Sequence, residues 1–429
     1  MKGTWRAVIA WSMYDWANSV FATTVMVAFF PVFFKSFWSH GVDSTLSTAR
    51  LGIGNTVAGI AIAVLSLFFG AFADTGRDKK KLLGFFMLIG VASTGLLYFI
   101  KQGEWLPALA VFAFANIGFS CSCLFYDSLL VDVAEKKNMD FVSSLGFALG
   151  YLGGGLLLYA NMLMLKNPAA YGLHDAAGAV RASFLSSAVW WLVFSLPILI
   201  VVKYRRFAHV TGAKAIMADS FLRLWHTAKK IVLRRELLLF LTAYWLYFDG
   251  VNTFIRMATD FALSVGVTPK ASLLAILAVQ FVALPSSIAF GYLAKWFGPR
   301  RMIIAGNIIY LIVIGLGVFI LTKPAHFIIL ACLTALAQGG VQALSRSYFA
   351  KLVPQDEAAE YFGFYNVVGR FAIVGPAMVG IIAWAVHGSG TESMQASRIG
   401  MASTSLLFLL GCLVLVAADH AAAKTGEAP

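Results

Sequence analysis

Twelve apolar stretches, each long enough to cross a lipid bilayer, dominate this sequence. They lie near residues 9–37, 51–73, 82–100, 106–133, 141–165, 180–202, 237–262, 271–294, 302–321, 326–350, 361–386 and 398–418. A helix needs about 20 apolar residues to span about 30 Å of hydrocarbon. Charged residues make up only 12% of the chain, about half the share in a typical soluble domain. The sequence therefore predicts an all-α membrane protein with twelve transmembrane helices.

The net charge of +13 is concentrated on one side of these predicted helices. Lys and Arg cluster at residues 77–81, 203–236 and 295–301, all on the side of the N-terminus if the helices alternate in direction. The positive-inside rule then predicts that both termini are cytoplasmic. Such loops also attract anionic lipid, so their basicity does not indicate a nucleic-acid partner. We expect a multi-pass protein of a bacterial cytoplasmic (inner) membrane.

The basic segment 203–236 divides the chain into two sets of six predicted helices. We expect an N-terminal bundle over residues 1–202, a cytoplasmic linker, and a C-terminal bundle with a short tail over residues 237–429. Apolar residues recur at helical spacing within the linker: Met217, Phe221, Leu224, Ala228 and Ile231. This pattern predicts a basic amphipathic helix on the membrane surface.

Both halves place an acidic residue and an amide inside an apolar helix. Asp15 and Asn18 in "DWANS" have the same spacing as Asp249 and Asn252 in "DGVNT". A charge at the membrane centre costs roughly 2.5–3.5 kcal/mol on insertion scales, so it usually faces a cavity or a partner. Two interpretations stay open for these residues: a wet substrate or coupling site, and a hydrogen-bonded clamp between helices.

Arg370 is a second costly residue, ten positions into the eleventh predicted helix. Its planar guanidinium suits a carboxylate or a phosphate of a bound solute. A fixed ion pair with Asp249 is the alternative, and the two interpretations are compatible if substrate competes for the pair.

Charges of opposite sign occupy corresponding positions in the fourth and tenth predicted helices. Asp127 and Asp132 stand where Arg346 and Lys351 stand in the second half, with the same five-residue interval. Such charges can attract one another when the cytoplasmic ends of the two helices approach. Solvated helix ends are the alternative interpretation.

No motif in the sequence indicates catalysis or a bound cofactor. The four cysteines, Cys121, Cys123, Cys332 and Cys412, lie in apolar helices, and no His or carboxylate completes a metal-binding set with them. Nucleotide-binding, zinc-helix and hydrolase motifs are missing as well. We therefore predict no catalytic site, no metal and no cofactor.

Four segments in order carry a family resemblance: "YDWANSVF" (14–21), "SSLGFALGYLGGGLLL" (143–158), "GGVQALSRSYFAKLVP" (339–354) and "YFGFYNVVGRFAIVGP" (361–376). Together with the loops "GAFADTGRDKKK" and "GYLAKWFGPRR", they make the chain similar to the major facilitator superfamily and, within it, to the vacuole-effluxer-like family. That family includes fungal vacuolar amino-acid effluxers and bacterial relatives. The resemblance implies two pseudo-symmetric six-helix bundles that alternate access, with a gating charge at Asp74.

The resemblance implies a secondary transporter that exports an amino acid or a related small solute. The predicted substrate or coupling residues are Asp15, Asn18, Asp249, Asn252 and Arg370, and the predicted gating residues are Asp74, Asp127, Asp132, Arg346 and Lys351. A flippase or importer of another organic anion is the first alternative, and a non-transporting receptor or scaffold the second. We expect a monomer whose partners are a small solute, protons and membrane lipids.

Overall fold

A computed structural model describes residues 2–74, 79–204, 224–264, 268–320, 324–370, 374–388, 391 and 393–425. Within these residues, twelve helices are long and apolar enough to cross a membrane, and no β-strand is present. The predicted fold class and the predicted number of membrane spans are confirmed.

We label the twelve spans in chain order. The first six are α1 (Trp5–Trp38), α2 (Leu46–Asp74), α3 (Lys79–Phe99), α4 (Trp105–Val133), α5 (Lys136–Lys166) and α6 (Ala176–Val201). The second six are α7 (Arg235–Ile255), α8 (Ala271–Phe297), α9 (Pro299–Phe319), α10 (Ala325–Leu352), α11 (Ala358–Gly388) and α12 (Gln395–Ala418). The helix of α7 continues to Ser264, and α11 is described as two segments, Ala358–Arg370 and Val374–Gly388.

Span α1 changes its helical geometry along its length. It is α-helical over Trp5–Val20, π-helical over Phe21–Phe29, α-helical over Phe30–Phe33 and π-helical again over Phe34–Trp38. Departures into π geometry are rare and occur frequently at functional sites. The first of them begins directly after the segment that holds Asp15 and Asn18.

The described contacts group the chain into two compact units. Unit 1 comprises Met1–Lys136, Leu149–Leu222 and Pro354–Asn366, and unit 2 comprises Lys137–Ala148, Arg223–Val353 and Val367–Pro429. Each unit takes most of its helices from one half of the sequence and one segment from the other half. The first turns of α5 are thus part of unit 2, and the first turns of α11 are part of unit 1.

The two units pack their helices in the same order. In unit 1, α1 packs on α6, while α3 packs on both α4 and α6 and α2 packs on α4. In unit 2, α7 packs on α12, while α9 packs on both α10 and α12 and α8 packs on α10. This correspondence is what an internal repeat of six helices produces.

The predicted linker is described only in part. Residues 205–223 lie outside the described residues, so the predicted positions Met217 and Phe221 do too. Residues 224–233 form a helix in which Ile231 is buried and Trp225 is exposed. Lys229 and Lys230 of this helix are exposed, so its surface is basic.

Small residues let the helices of unit 1 approach at backbone distance. Gly118 of α4 lies against Gly90 of α3, and a Cβ added to Gly118 would stand 2.3 Å from the Gly90 backbone nitrogen. Membrane helices associate through such close packing, because lipid tails offer no hydrophobic driving force between them. This contact therefore contributes directly to the stability of unit 1.

Replacing Gly118 by Leu is expected to destabilise the protein by about 1–3 kcal/mol, because the helix backbones must separate to admit the side chain. Thermal unfolding of detergent-solubilised protein measures the effect. Gly59→Leu in α2 is the matched control, since a Cβ at Gly59 meets nothing within 4 Å. Equal unfolding temperatures for the two variants would contradict the packing described here.

Candidate functional site

Asp15 is held by a tyrosine of α4. The Tyr126 hydroxyl donates a hydrogen bond of 2.6 Å to Asp15 Oδ2. The Trp11 ring stacks on Tyr126 with centroids 4.4 Å apart, and Trp11 Nε1 donates to the Tyr126 carbonyl at 2.9 Å. Asp15 is 8% exposed. The carboxylate is therefore buried within a span and oriented by an aromatic side chain that is itself fixed by its neighbour.

Asn18 and the next helix complete the surroundings of Asp15. Asn18 Nδ2 lies 3.7 Å from Cys123 Sγ and donates to it, so Asp15 and Asn18 both contact α4. On the other side, a Cβ at Gly150 of α5 would stand 3.3 Å from the Asp15 carbonyl oxygen. The α1 segment is thus enclosed between α4 and α5 in unit 1.

Asp249, the counterpart of Asp15 in the second half, is held by a backbone N–H of α11 and by a threonine hydroxyl of its own helix. The Gly375 N–H of α11 donates to Asp249 Oδ2 at 2.9 Å, and Thr253 Oγ1 donates to Oδ1 at 3.4 Å. Asn252 Nδ2 donates to the Gly369 carbonyl of the same helix at 3.4 Å. Asp249 and Asn252 therefore both contact α11.

The two repeated motifs differ in the kind of partner that they have. A tyrosine hydroxyl reaches Asp15 by side-chain torsions and can leave it by the same torsions, whereas the N–H that reaches Asp249 is fixed in the backbone. Asp249 is also the more buried of the two, with an exposure of 2%. In unit 2 the motif has the geometry of a clamp between α7 and α11.

Arg370 ends the first described segment of α11, and its side chain lies outside the described residues. Its pairing with Asp249 or with a substrate therefore stays a prediction. Its neighbour Gly369 is the residue whose carbonyl accepts from Asn252.

Two predicted gating residues contact the start of α11 and the loop that precedes it in unit 1. Asp74 Oδ1 lies 2.9 Å from Lys79 Nζ, and Asp74 Oδ2 accepts a hydrogen bond of 2.7 Å from the Glu360 N–H. A carboxylate is favourable at the N-terminus of a helix, where backbone N–H groups lack partners. Asp132 Oδ1 accepts from Gln355 Nε2 at 2.8 Å. Asp74 therefore fastens the start of α11 to α2, and Asp132 fastens the loop before α11 to α4.

An amide in α11 makes a further bridge in unit 1. Asn366 Nδ2 donates to Ser66 Oγ of α2 at 2.9 Å and to the Ser120 carbonyl of α4 at 3.3 Å. A Cβ at Gly363, one turn earlier, would stand 2.8 Å from the Ser66 carbonyl oxygen. Asn366 is absent from the predicted site, although it lies four residues before Arg370 on the same helix face.

Two further predicted gating charges, Arg346 and Lys351, contact the first turns of α5 in unit 2. Lys351 Nζ lies 2.6 Å from Asp140 Oδ2, and Ser347 Oγ donates to Asp140 Oδ1 at 2.7 Å. Arg346 donates to Ser143 twice, from Nε to Oγ and from Nη2 to the carbonyl, each at 2.9 Å. The start of α5 is thus fastened to α10 by a buried ionic cluster.

The sequence did not point to Asp140 or Ser143 as partners of these charges. A sequence pattern that could have indicated them is the acid just inside the start of α5, followed by Ser143 one turn later on the same helix face. Arg346 also lies over the Phe147 ring at 4.4 Å. Asp127 belongs to unit 1 and Arg346 to unit 2, and their attraction stays a prediction.

A third buried cluster joins α7, α9 and α10 in unit 2. Arg300 contacts both Glu236 and Tyr348 through its guanidinium, and the Tyr348 hydroxyl donates to Glu236 Oε1 at 2.8 Å. A charge buried in this way requires a paired and hydrogen-bonded partner. The cluster fixes the start of α7 within unit 2.

No metal site accompanies these clusters. Among the described residues, no group of three or more His, Cys, Asp or Glu side chains is placed to hold a metal ion. All four cysteines are free thiols, and only Cys121 among them is fully buried.

Comparisons with known proteins agree with this architecture. The sequence model of the family described as "Vacuole effluxer Atg22 like" matches residues 53–427. A Bacillus subtilis protein named "Uncharacterized MFS-type transporter YxiO" is 39% identical, over 97% of this chain and 95% of its own length. "Autophagy-related protein 22" of Coccidioides immitis is 22% identical, over 96% of this chain and 86% of its own length.

Solved structures share the fold at much lower identity. The proton:xylose symporter XylE superposes with a TM-score of 0.68 at 12% identity, over 95% of this chain and 93% of its own. The human organic anion transporter MFSD10 superposes with a TM-score of 0.70 at 14% identity, over 97% of this chain and 100% of its own. The protein is a multi-pass integral membrane protein and a secondary transporter, not an enzyme. The predicted family is confirmed, and the chain belongs to the Atg22-like vacuole effluxer family of the major facilitator superfamily.

Proposed function

We propose that the protein exports an amino acid or a related small solute, coupled to protons, with Asp15 as the proton-coupling residue. The observation that carries this proposal is the Asp15 carboxylate, buried within a membrane span and held by the Tyr126 hydroxyl at 2.6 Å. Ionisable groups inside a membrane generally mark proton or substrate pathways. The description of the family as vacuole effluxers supports export as the direction.

Protonation of Asp15 gives the coupling a physical basis. The ionised carboxylate accepts the Tyr126 hydrogen bond, whereas a protonated carboxyl is a donor as well and is relieved of its charge in the membrane. Because Tyr126 belongs to α4 and Asp15 to α1, the protonation state changes the contact between two helices. A substrate that binds near Asn18 is thereby linked to the proton.

Asp249 and Asn252 have a different part in this proposal. Their hydrogen bonds to Gly375 and Gly369 anchor α11 on both sides of the segment that follows Arg370. The backbone beside Arg370 is then held close to α7, and the guanidinium of an arginine suits the carboxylate of a solute. The structural neighbour MFSD10 is an organic anion transporter, and an organic anion other than an amino acid is the second candidate substrate.

The proposed cytoplasmic gate consists of two segments, the start of α5 in unit 2 and the start of α11 in unit 1. The start of α11 is held in unit 1 by Asp74, Asp132 and Asn366, and the start of α5 is held in unit 2 by Arg346 and Lys351. Each cluster joins a helix of one sequence half to helices of the other half. Release of solute at this end requires these contacts to separate.

Transport by purified protein in liposomes tests the substrate class. Labelled amino acids and organic acids are offered under an imposed pH gradient, with empty liposomes as the control. We expect uptake or release of at least one amino acid above the control. Flux of an organic anion alone would favour the second candidate, and no flux for either class would contradict the proposal.

The proposed topology, with both termini in the cytoplasm of a bacterial inner membrane, gives a further prediction. In a cysteine-free background, a cysteine in place of exposed Lys229 is expected to react with a membrane-impermeant maleimide only after the cells are opened, because the positive-inside rule places the linker inside. A cysteine in place of exposed Lys101, between α3 and α4, is the control and is expected to react in intact cells. Labelling of the Lys229 position from outside would contradict this topology.

A further inference from the structure

Span α4 is interrupted close to its C-terminal end. It is α-helical over Trp105–Ser128 and again over Leu130–Val133, and Leu129 lies between the two helical segments. The Leu129 N–H donates to the Tyr126 carbonyl, three residues back, at 3.2 Å, which is the bond of a tightened last turn. The last four carbonyls of a helix lack their regular donor and need another one. Tyr126 is one of the four residues that carry these carbonyls.

The indole of Trp11 in α1 supplies a further donor at this interruption. Its Nε1 donates to the Tyr126 carbonyl at 2.9 Å in a buried hydrogen bond. The Trp11 ring also stacks on the Tyr126 ring, with an angle of 19° between the two planes. Both side chains are buried, so water does not compete for the carbonyl. Trp11 is therefore a side-chain cap for the first helical segment of α4.

Trp11 and Asp15 hold opposite ends of the same residue of α4. They are four residues apart on α1 and therefore lie on one face of that helix. Asp15 accepts from the Tyr126 hydroxyl, whereas Trp11 donates to the Tyr126 backbone. The position of the hydroxyl depends on the backbone from which its side chain extends. The indole N–H fastens that backbone to α1, one turn away from the carboxylate.

The short helical segment beyond the interruption is fastened to other parts of unit 1. Asp132 accepts from Gln355, in the loop before α11, at 2.8 Å. The Val133 carbonyl accepts from the Gly3 N–H at 2.9 Å. The interruption therefore lies between the Asp15 site and two contacts at the end of α4.

We propose that Trp11 is a positioning residue for the proton-coupling site. Its indole N–H caps the interrupted end of α4 and thereby sets the position of the Tyr126 hydroxyl beside Asp15. This inference rests on the proposed function for the role of Asp15, whereas the capping of α4 does not depend on it. Loss of the N–H lets the end of α4 move, so the hydroxyl reaches Asp15 in a smaller fraction of molecules.

Hydrogen exchange of the backbone amides in residues 129–134 tests the capping without substrate or a pH gradient. Trp11→Phe keeps an aromatic ring beside Tyr126 and removes the N–H. Benzothienylalanine at position 11, which has the shape of tryptophan with sulfur in place of the N–H, removes the donor without loss of volume. Both variants are expected to exchange these amides about fivefold faster, the change expected for one lost hydrogen bond.

Trp38→Phe is the matched control for the hydrogen-exchange measurement. Trp38 is likewise a buried tryptophan of α1, and its Nε1 donates to the Ile100 carbonyl, directly after α3, at 3.4 Å. We expect Trp38→Phe to leave the hydrogen exchange of residues 129–134 unchanged. Unchanged hydrogen exchange in the benzothienylalanine variant, or an equal increase in Trp38→Phe, would overturn the proposal.

Transport by a double variant distinguishes positioning from a general loss of stability. If Trp11 acts through the Tyr126 hydroxyl, Trp11→Phe slows transport about fivefold in the parent protein and has no further effect when combined with Tyr126→Phe. Losses that add in the double variant would overturn the positioning role. Failure of the proposed function is distinguishable, since it appears as normal accumulation by Asp15→Asn while the hydrogen exchange of residues 129–134 still responds to Trp11.

Discussion

Replacing Asp15 by Asn is expected to abolish accumulation of substrate against its gradient while sparing exchange. The substitution keeps the size of the side chain and an oxygen that accepts from Tyr126, but it cannot take up a proton. For one coupled proton, a gradient of one pH unit is worth about 1.4 kcal/mol, or a tenfold accumulation. The accumulation ratio in liposomes is therefore expected to fall from about ten to about one.

Two further variants distinguish a residue that couples transport to protons from one that only holds two helices together. Asp249→Asn keeps an acceptor for the Gly375 N–H, so we expect it to accumulate substrate, with some loss of thermal stability. Tyr126→Phe leaves Asp15 ionisable but removes its hydroxyl partner, so we expect slower transport that is still coupled. Normal accumulation by Asp15→Asn would show that this residue only holds helices together.

Reversing the charge of Asp140 is expected to open the start of α5. Asp140→Lys places a second cation beside Lys351 and removes the acceptor of Ser347. Breaking a buried pair in this way costs about 3 kcal/mol or more, which shifts a two-state equilibrium roughly 150-fold. Hydrogen exchange of the backbone amides in residues 137–148 is expected to accelerate accordingly.

The reciprocal exchange is the test of pairing. Combining Asp140→Lys with Lys351→Asp restores opposite charges and is expected to recover much of the protection, as coupled residues do in a double-mutant cycle. Lys229→Glu, on an exposed position, changes the net charge of the chain equally and serves as the control. Additive loss in the double variant would mean that the two side chains do not stabilise each other.

The number and type of membrane spans follow from the sequence because few backbone structures are stable in the hydrocarbon of a bilayer. Backbone groups must be satisfied within each segment, so an apolar run of sufficient length has to be a helix. The twelve predicted spans, and the repeat signalled by "DWANS" and "DGVNT", required no knowledge of packing. The change to π geometry at Phe21 had no such signal, since the residues of Phe21–Phe29 are ordinary for a membrane helix.

The partners of the polar residues could not be predicted in the same way. The D-x-x-N spacing treats Asp15 and Asp249 as equivalent, yet one carboxylate accepts from a tyrosine side chain and the other from a backbone N–H. Which donor reaches a carboxylate depends on how neighbouring helices are rotated and how closely they approach. Those quantities are set by small residues such as Gly150 and Gly375, and no local pattern reports them.

The gating charges illustrate the same limit. Equal spacing and opposite sign predict that the acids of α4 attract the bases of α10. That attraction stays a prediction, whereas the contacts of Arg346 and Lys351 with Ser143 and Asp140 of α5 had no signal in the spacing, because the first turns of α5 are packed in unit 2. A segment that packs with helices from the other half of the sequence can be recognised only in the three-dimensional structure.

Coupling in the reverse direction tests the central claim most directly. Liposomes containing the purified protein and a trapped pH indicator are given a gradient of transported substrate and no pH gradient. Substrate flow is predicted to change the internal pH in the parent protein and to leave it unchanged in Asp15→Asn, although Asp15→Asn still exchanges substrate. A pH change of equal size in both proteins would contradict the assignment of Asp15 as the coupling residue, and substrate flow without any pH change in the parent protein would contradict proton coupling itself.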